Sequence, residues 1–259
     1  KITNIEGFKN IRDVWNGLLE KSPIKSIFLT WEWLFTWWEH FGAGNELHIL
    51  VARDSNEIVG IAPLMIVATK RKGLRFKMLC NIGMSDVDVT GFITKYENQF
   101  IIKALCGAIK DTSANWDIFE FGEFPNEAID PADIITHFSH PSYLSRIMTR
   151  PHIFIPTFGN WDVYYKSLPK HLRRSLKRKE RQIQEEDKIV EFQRFNKGMV
   201  KPDHLKSVFN INRKAHFPEL YGSDKLKNFH LALVESGKIQ EEVDISFLSI
   251  NHTPVAFEY

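Results

Sequence analysis

Only two cysteines, Cys80 and Cys106, occur in 259 residues. Two thiols cannot build a disulfide framework, and such sparing use favours a reducing, cytoplasmic location. Long apolar runs are also missing. The richest stretch, Ile27 to Phe41, is interrupted by Glu32, Glu39 and His40, so nothing approaches the ~18 residues of a membrane span. The opening Lys1-Ile2-Thr3-Asn4 has no signal-peptide core behind it, and it lacks Met, as expected of a processed or trimmed chain. Neither charge sign dominates: 34 Lys+Arg face 32 Asp+Glu, a net charge of +2. A surface that seeks polyanions everywhere is thereby excluded, while a local basic patch is not.

Several catalytic signatures are absent as well. No G-x-x-x-x-G-K-[ST] phosphate loop occurs, and no G-x-G-x-x-G follows a strand. There is no H-E-x-x-H and no C-x-x-C pair, so no metal site is expected. No G-x-S-x-G nucleophile elbow is found. Cys80 and Cys106 lie in apolar contexts and read as buried, inert thiols.

What is present is an ordinary globular composition, 43% hydrophobic and 25% charged. Phe8, Ile11, Val14, Trp15, Leu18 and Leu19 recur at helical spacing up to Ser22-Pro23. Thr30 is placed to cap a second helix whose apolar face is Trp31, Leu34, Phe35 and Trp38. With Trp33 and Trp37, that stretch reads as core or domain interface, or as one wall of a ligand groove. A hairpin follows, with Leu47–Arg53 leading, Asp54-Ser55-Asn56-Glu57 turning and Ile58–Lys70 returning. Pro63 within the return marks a bulge or edge there. Phe76–Cys80 is a strand, 83–88 a polar loop, and Thr90–Thr94 extended. Helices are expected over 98–110 and from Asp130-Pro131, with a strand over Trp116–Phe121 between them.

The second part opens with a long helix from Asn160-Trp161 carrying Leu168, Leu172, Leu176 and Ile183 on one face. A strand over Ile189–Phe195, helices over 204–217 and 224–236, and a hairpin from Val243 to Tyr259 follow. Both parts place helices before a hairpin, which predicts an internal repeat. The order predicts an α/β (mixed α+β) fold, with mixed central sheets flanked by helices. Two units are expected, 1–158 and 159–259, the second incomplete because its last strand reads as one that continues.

Four stretches carry a resemblance: Leu50-Val51-Ala52-Arg53 with Ile58 to Leu64, the loop bearing Asp86 and Asp88, Leu168 to Arg178, and Ile250 to Phe257. In that order they resemble the tandem GNAT acyltransferase superfamily, specifically its CelD-like (cellulose-biosynthesis-type) and Fem-type members. The resemblance implies two GNAT-like units and transfer of an acyl group from acyl-CoA, such as acetyl-CoA, to a small-molecule, saccharide or peptide amine. It further implies a role in cell-envelope or exopolysaccharide biosynthesis. The Fem-type alternative uses aminoacyl-tRNA as donor, and a third reading is a non-catalytic, GNAT-derived binding or scaffold protein. GNAT enzymes hold the CoA pyrophosphate on backbone N–H groups at a strand–helix junction. Here the loop after the first hairpin offers Asp86 and Asp88, which repel a pyrophosphate. The first unit is therefore not expected to bind CoA, and the matching segment of the second unit is expected beyond Tyr259.

Seven candidate site residues follow. Arg173, Arg174 and Lys177 sit in a basic run that reads either as a solvated helix face or as an anion site for CoA phosphates, a phosphorylated donor or RNA. Duplex DNA is not expected, since no recognition motif is seen. Asp86 and Asp88 are turn residues or recognise an amine acceptor. His216 ends a helix or binds substrate. Glu258, on the last strand, is the candidate general base, and alternation sets it on the opposite face from Phe257 and Tyr259.

Overall fold

A computed structural model describes all residues except 97–98, 126–128, 140, 152, 154, 158, 186–187, 237–238 and 240, and all side chains of the rest except Arg71 and Glu185. The expected helix start at Asn98 and the unit boundary at Phe158 lie outside the described residues.

The N-terminal helical pattern is two helices rather than one, α1 (Ile5–Asn10) and α2 (Arg12–Leu19). Ile11 leaves helical geometry between them, with φ −97° and ψ 7°. Helix α3 (Trp31–Phe41) begins at Thr30, whose hydroxyl accepts from the Trp33 amide. Its burial is broader than one stripe, since Trp31, Trp33, Leu34, Phe35 and Trp37 are all buried. Such a helix is covered on several sides.

The chain then forms β1 (Glu46–Leu47), β2 (Leu50–Asp54), β3 (Glu57–Ala62), β4 (Leu64–Arg71) and β5 (Leu74–Asn81). The long return strand divides at Pro63: β3 pairs with β2, whereas β4 pairs with β1 and β5. Proline cannot donate to a ladder, so it sits where the chain leaves one sheet for another. Lys72 and Gly73, at φ 48° and 87°, turn β4 tightly into β5. After β6 (Ile93–Thr94) comes α4 (Gln99–Asp111), which packs on β2 and β3. Gly60 makes that approach possible, because a Cβ there would overlap the Ile101 side chain. Phe100 faces away and is exposed. Strand β7 (Ile118–Glu120) adds parallel to β5, and α5 (Pro131–His137) starts on the Asp130 cap.

In the second part the expected long helix is broken into α6 (Trp161–Ser167) and α7 (Lys170–Glu185). Leu168 is extended, at φ −64° and ψ 144°, as the residue before a proline prefers. Strand β8 (Val190–Phe195), α8 (Pro202–Asn212), α9 (Asp224–Glu235), β9 (Ile245–Ile250) and β10 (Thr253–Glu258) complete the chain. Helix α8 stops at Asn212, short of the expected Phe217. Among the described residues three sheets form, ordered β1-β4-β5-β7, β2-β3-β6 and β10-β9-β8. The architecture is the expected mixed α+β one, with mixed sheets flanked by helices. Among the described residues no helix is long and apolar enough to cross a membrane.

Both halves meet where α9 packs on α3. Phe229 is buried against Trp33, Phe41 and His40, at ring-centroid distances of 5.3, 5.7 and 6.0 Å. Edge-to-face aromatic contacts of this kind add to plain area burial.

Candidate functional site

The loop that follows β5 sits against the middle of α3. Gly83 has φ +76°, and a Cβ there would lie 3.6 Å from both Trp37 and Leu34. The loop amides turn inward: Met84 N–H reaches Asn81 O at 3.3 Å and Asp86 N–H reaches Gly83 O at 2.8 Å. Asp86 is thereby carried to the indole of Trp37. Trp37 Nε1 donates to Asp86 Oδ2 at 2.8 Å, and Ser85 Oγ donates to the same oxygen at 2.7 Å. Oδ1 has no protein partner among the described residues. Two donors on one oxygen fix the carboxylate and leave the other free for a ligand. Asp88 is exposed and makes no comparable contact among the described residues.

Across the seam stands His230, one residue past Phe229 on α9. Its Nδ1 lies 3.0 Å from the Tyr259 hydroxyl. Tyr221 stacks edge-on to His230 at 5.4 Å, and Trp33 lies 6.3 Å from the same ring. Burial lowers the His230 pKa to about 4, while the nearby Asp86 charge pulls it upward. The imidazole is therefore neutral at pH 7. Burial, then Tyr221, pushes the Tyr259 phenol well above its ordinary range, so it stays a hydroxyl. Trp33 Nε1 is buried nearby without a partner among the described residues. The cluster joins a fixed carboxylate, a neutral imidazole and a phenol, contributed by both halves of the chain.

The other sequence candidates lie apart from this cluster. Glu258 is exposed on β10, and its cross-strand row runs through Ser246 to Arg194. Arg194 is ion-paired with Asp244, and the Glu258 charge also acts on it. The expected alternation holds, and it sends Tyr259, not Glu258, to the seam. His216 is exposed in a turn beyond α8, edge-on to Phe217 at 4.6 Å. Arg174 and Lys177 are exposed on α7, and Arg173 is half-buried. The Arg173 carbonyl accepts from Tyr165 Oη at 3.2 Å, and its Nε is buried without a partner among the described residues.

His230, Tyr221 and Tyr259 were not singled out by sequence reasoning. The one local signal was the strand alternation that sets Tyr259 on the buried face.

Two clefts lie elsewhere. One, of about 300 Å³, is lined by Lys1, Asn4, Trp38, Glu46 and His48 among others, and one of about 170 Å³ by Val14, Leu18, Lys21 and Glu57 among others. Cys80 and Cys106 are buried, and burial pushes both thiols up to about 12, so neither is a thiolate nucleophile at neutral pH. Among the described residues no group of three His, Cys, Asp or Glu could hold a metal ion.

No protein-family model matches the chain, and no curated protein matches it. Among solved structures, that of FemX aligns over 92% of this chain, with a TM-score of 0.50 and 14% identity. This chain spans 56% of the FemX chain. A ribosomal-protein-alanine N-acetyltransferase from Brucella melitensis biovar Abortus 2308 aligns over 56% of this chain and 94% of its own, with a TM-score of 0.32 and 13% identity. The likeness to FemX is a likeness of fold.

Proposed function

We propose that the protein is an N-acyltransferase that binds its amine acceptor at Asp86, in the seam between α3 and α9. The observation that carries this reading is the Asp86 carboxylate, with Oδ2 fixed by Trp37 and Ser85 and Oδ1 without a protein partner among the described residues. An acceptor arrives as an ammonium ion, and a fixed carboxylate favours binding it. Asp86 takes one proton from the ammonium, which frees the nitrogen lone pair to form the N–C bond. As the bond between the acyl carbon and its former partner breaks, a second proton from the same nitrogen passes to that leaving group. The 3.0 Å hydrogen bond between His230 Nδ1 and the Tyr259 hydroxyl fixes the orientation of the imidazole. Positioning of this kind supplies rate without a covalent enzyme intermediate.

The residues of the Asp86 loop do not fit a CoA pyrophosphate. Its carboxylates repel phosphate, and the Met84 and Asp86 amides are already bonded within the turn. The acyl donor therefore binds elsewhere. The FemX-like fold supports an alternative donor, aminoacyl-tRNA. Placement in envelope or exopolysaccharide biosynthesis, with a saccharide or peptide acceptor and a cytoplasmic location, rests on the CelD-like sequence resemblance.

The test is transfer from acetyl-CoA and from aminoacyl-tRNA to a panel of sugar and peptide amines. Asp86→Asn should lower kcat/KM at least tenfold with an unchanged melting temperature. Unchanged transfer by the variant would remove Asp86 from the site. No transfer from either donor to any amine would leave a binding or scaffold protein.

A further inference from the structure

Helix α7 concentrates the positive charge of the molecule. It carries Lys170, Arg173, Arg174, Lys177, Arg178, Lys179 and Arg181 against Glu180 and Glu185. Subtracting 7 from the 34 basic residues and 2 from the 32 acidic ones leaves 27 against 30, so the rest of the chain is net acidic. At about 100° per residue, Leu172, Leu176 and Ile183 fall within roughly 40° of one another. Five of the seven cations, Lys170, Arg174, Lys177, Arg178 and Arg181, occupy the opposite side, spread over roughly 17 Å of helix. All seven except the half-buried Arg173 are exposed, and none is paired with a carboxylate among the described residues. Leu176 and Ile183 are half-buried, which turns the cationic side outward.

Neither of the two clefts described above is lined by α7. An extended, unpaired cationic face suits an extended anionic surface better than a single small anion. Exposed apolar side chains stand on the preceding helix α6, where Trp161 is 61% exposed and Val163 50%. The Tyr165–Arg173 hydrogen bond ties α6 to α7. Tryptophan and aliphatic side chains beside Lys/Arg are the composition that settles at a lipid–water interface, with cations on headgroups and apolar groups below them. A phosphodiester backbone would engage the cations but leave these apolar groups in water.

We propose that α6–α7 is a docking surface for an anionic lipid leaflet, reached through headgroup phosphates and carboxylates. This surface is separate from the Asp86 cluster, so either proposal stands without the other. The test is co-sedimentation of the full chain with vesicles of phosphatidylcholine alone or with 30% phosphatidylglycerol, at low and high salt. Binding should require the anionic lipid and fall with salt. Each surface cation contributes about fivefold. The triple variant Arg174→Ala, Lys177→Ala, Arg178→Ala should thus bind about a hundredfold more weakly, with an unchanged melting temperature. Trp161→Ala should weaken the binding that survives high salt. Equal binding to both vesicle types, or undiminished binding by the triple variant, would overturn the proposal. So would tighter binding to poly(U) than to the anionic vesicles at the same salt, which would assign the face to nucleic acid.

Discussion

His48 makes the fold acid-sensitive in a way that can be isolated by one substitution. It is 1% exposed, and both ring nitrogens are buried without a hydrogen-bond partner among the described residues. Burial, then the Lys1 charge, lowers its pKa from 6.5 to about 4, with the N-terminus adding to the drop and Glu46 opposing it. A depressed folded-state pKa means that the unfolded chain takes up a proton first. The stabilisation is therefore complete above the unfolded value and is lost as pH falls from about 6.5 towards 4. Between pH 7 and pH 4.5 this costs about 2 kcal/mol. His230 titrates in the same direction, so total acid loss does not identify His48, whereas His48→Leu does. That variant also removes two unsatisfied polar atoms, which favours it at pH 7 by on the order of 1 kcal/mol. Urea unfolding followed by tryptophan fluorescence, at pH 7 and 4.5, should show the variant's advantage growing by about 2 kcal/mol in acid. An advantage that does not change with pH would refute the assignment of a buried, neutral imidazole.

Two further substitutions probe the frame that holds the site. Gly60→Ala drives a Cβ into Ile101 on α4 and should cost about 1–3 kcal/mol by overpacking, read as a lower melting temperature; an unchanged melting temperature would mean that α4 shifts freely. Arg12 Nη2 lies 2.8 Å from Glu32 Oε1, with Arg12 37% and Glu32 5% exposed. Arg12→Ala should cost about 2 kcal/mol by leaving a buried carboxylate, less in high salt because the arginine is partly solvated. Adding Glu32→Gln should recover most of that loss, and failure to recover would show that the arginine acts by packing.

Local chemistry was legible in the sequence. The Thr30, Asp130 and Asn160 caps each bond an amide two or three residues away, so short-range pattern suffices. Pro63 was readable as an interruption but not as a passage between sheets, because pairing partners such as Ile66↔Glu46 are set by tertiary structure. The break at Leu168-Pro169 was hidden by a leucine repeat that continues across it, although the proline itself signals it. Lys72-Gly73 is itself a turn signal, and its positive φ angles close the β4–β5 hairpin. Asp86 could be picked out as a loop carboxylate. Its setting could not, since Trp37 lies 49 residues away and His230 arrives only through packing of α9 on α3.

The Trp37 indole N–H, bonded to Asp86, offers the most direct test of the amine site. Its resonance should shift on titration with sugar or peptide primary amines that serve as acceptors, and should not respond in Asp86→Asn. Amine binding that leaves this resonance unmoved, or that persists undiminished in Asp86→Asn, would contradict an acceptor site at Asp86.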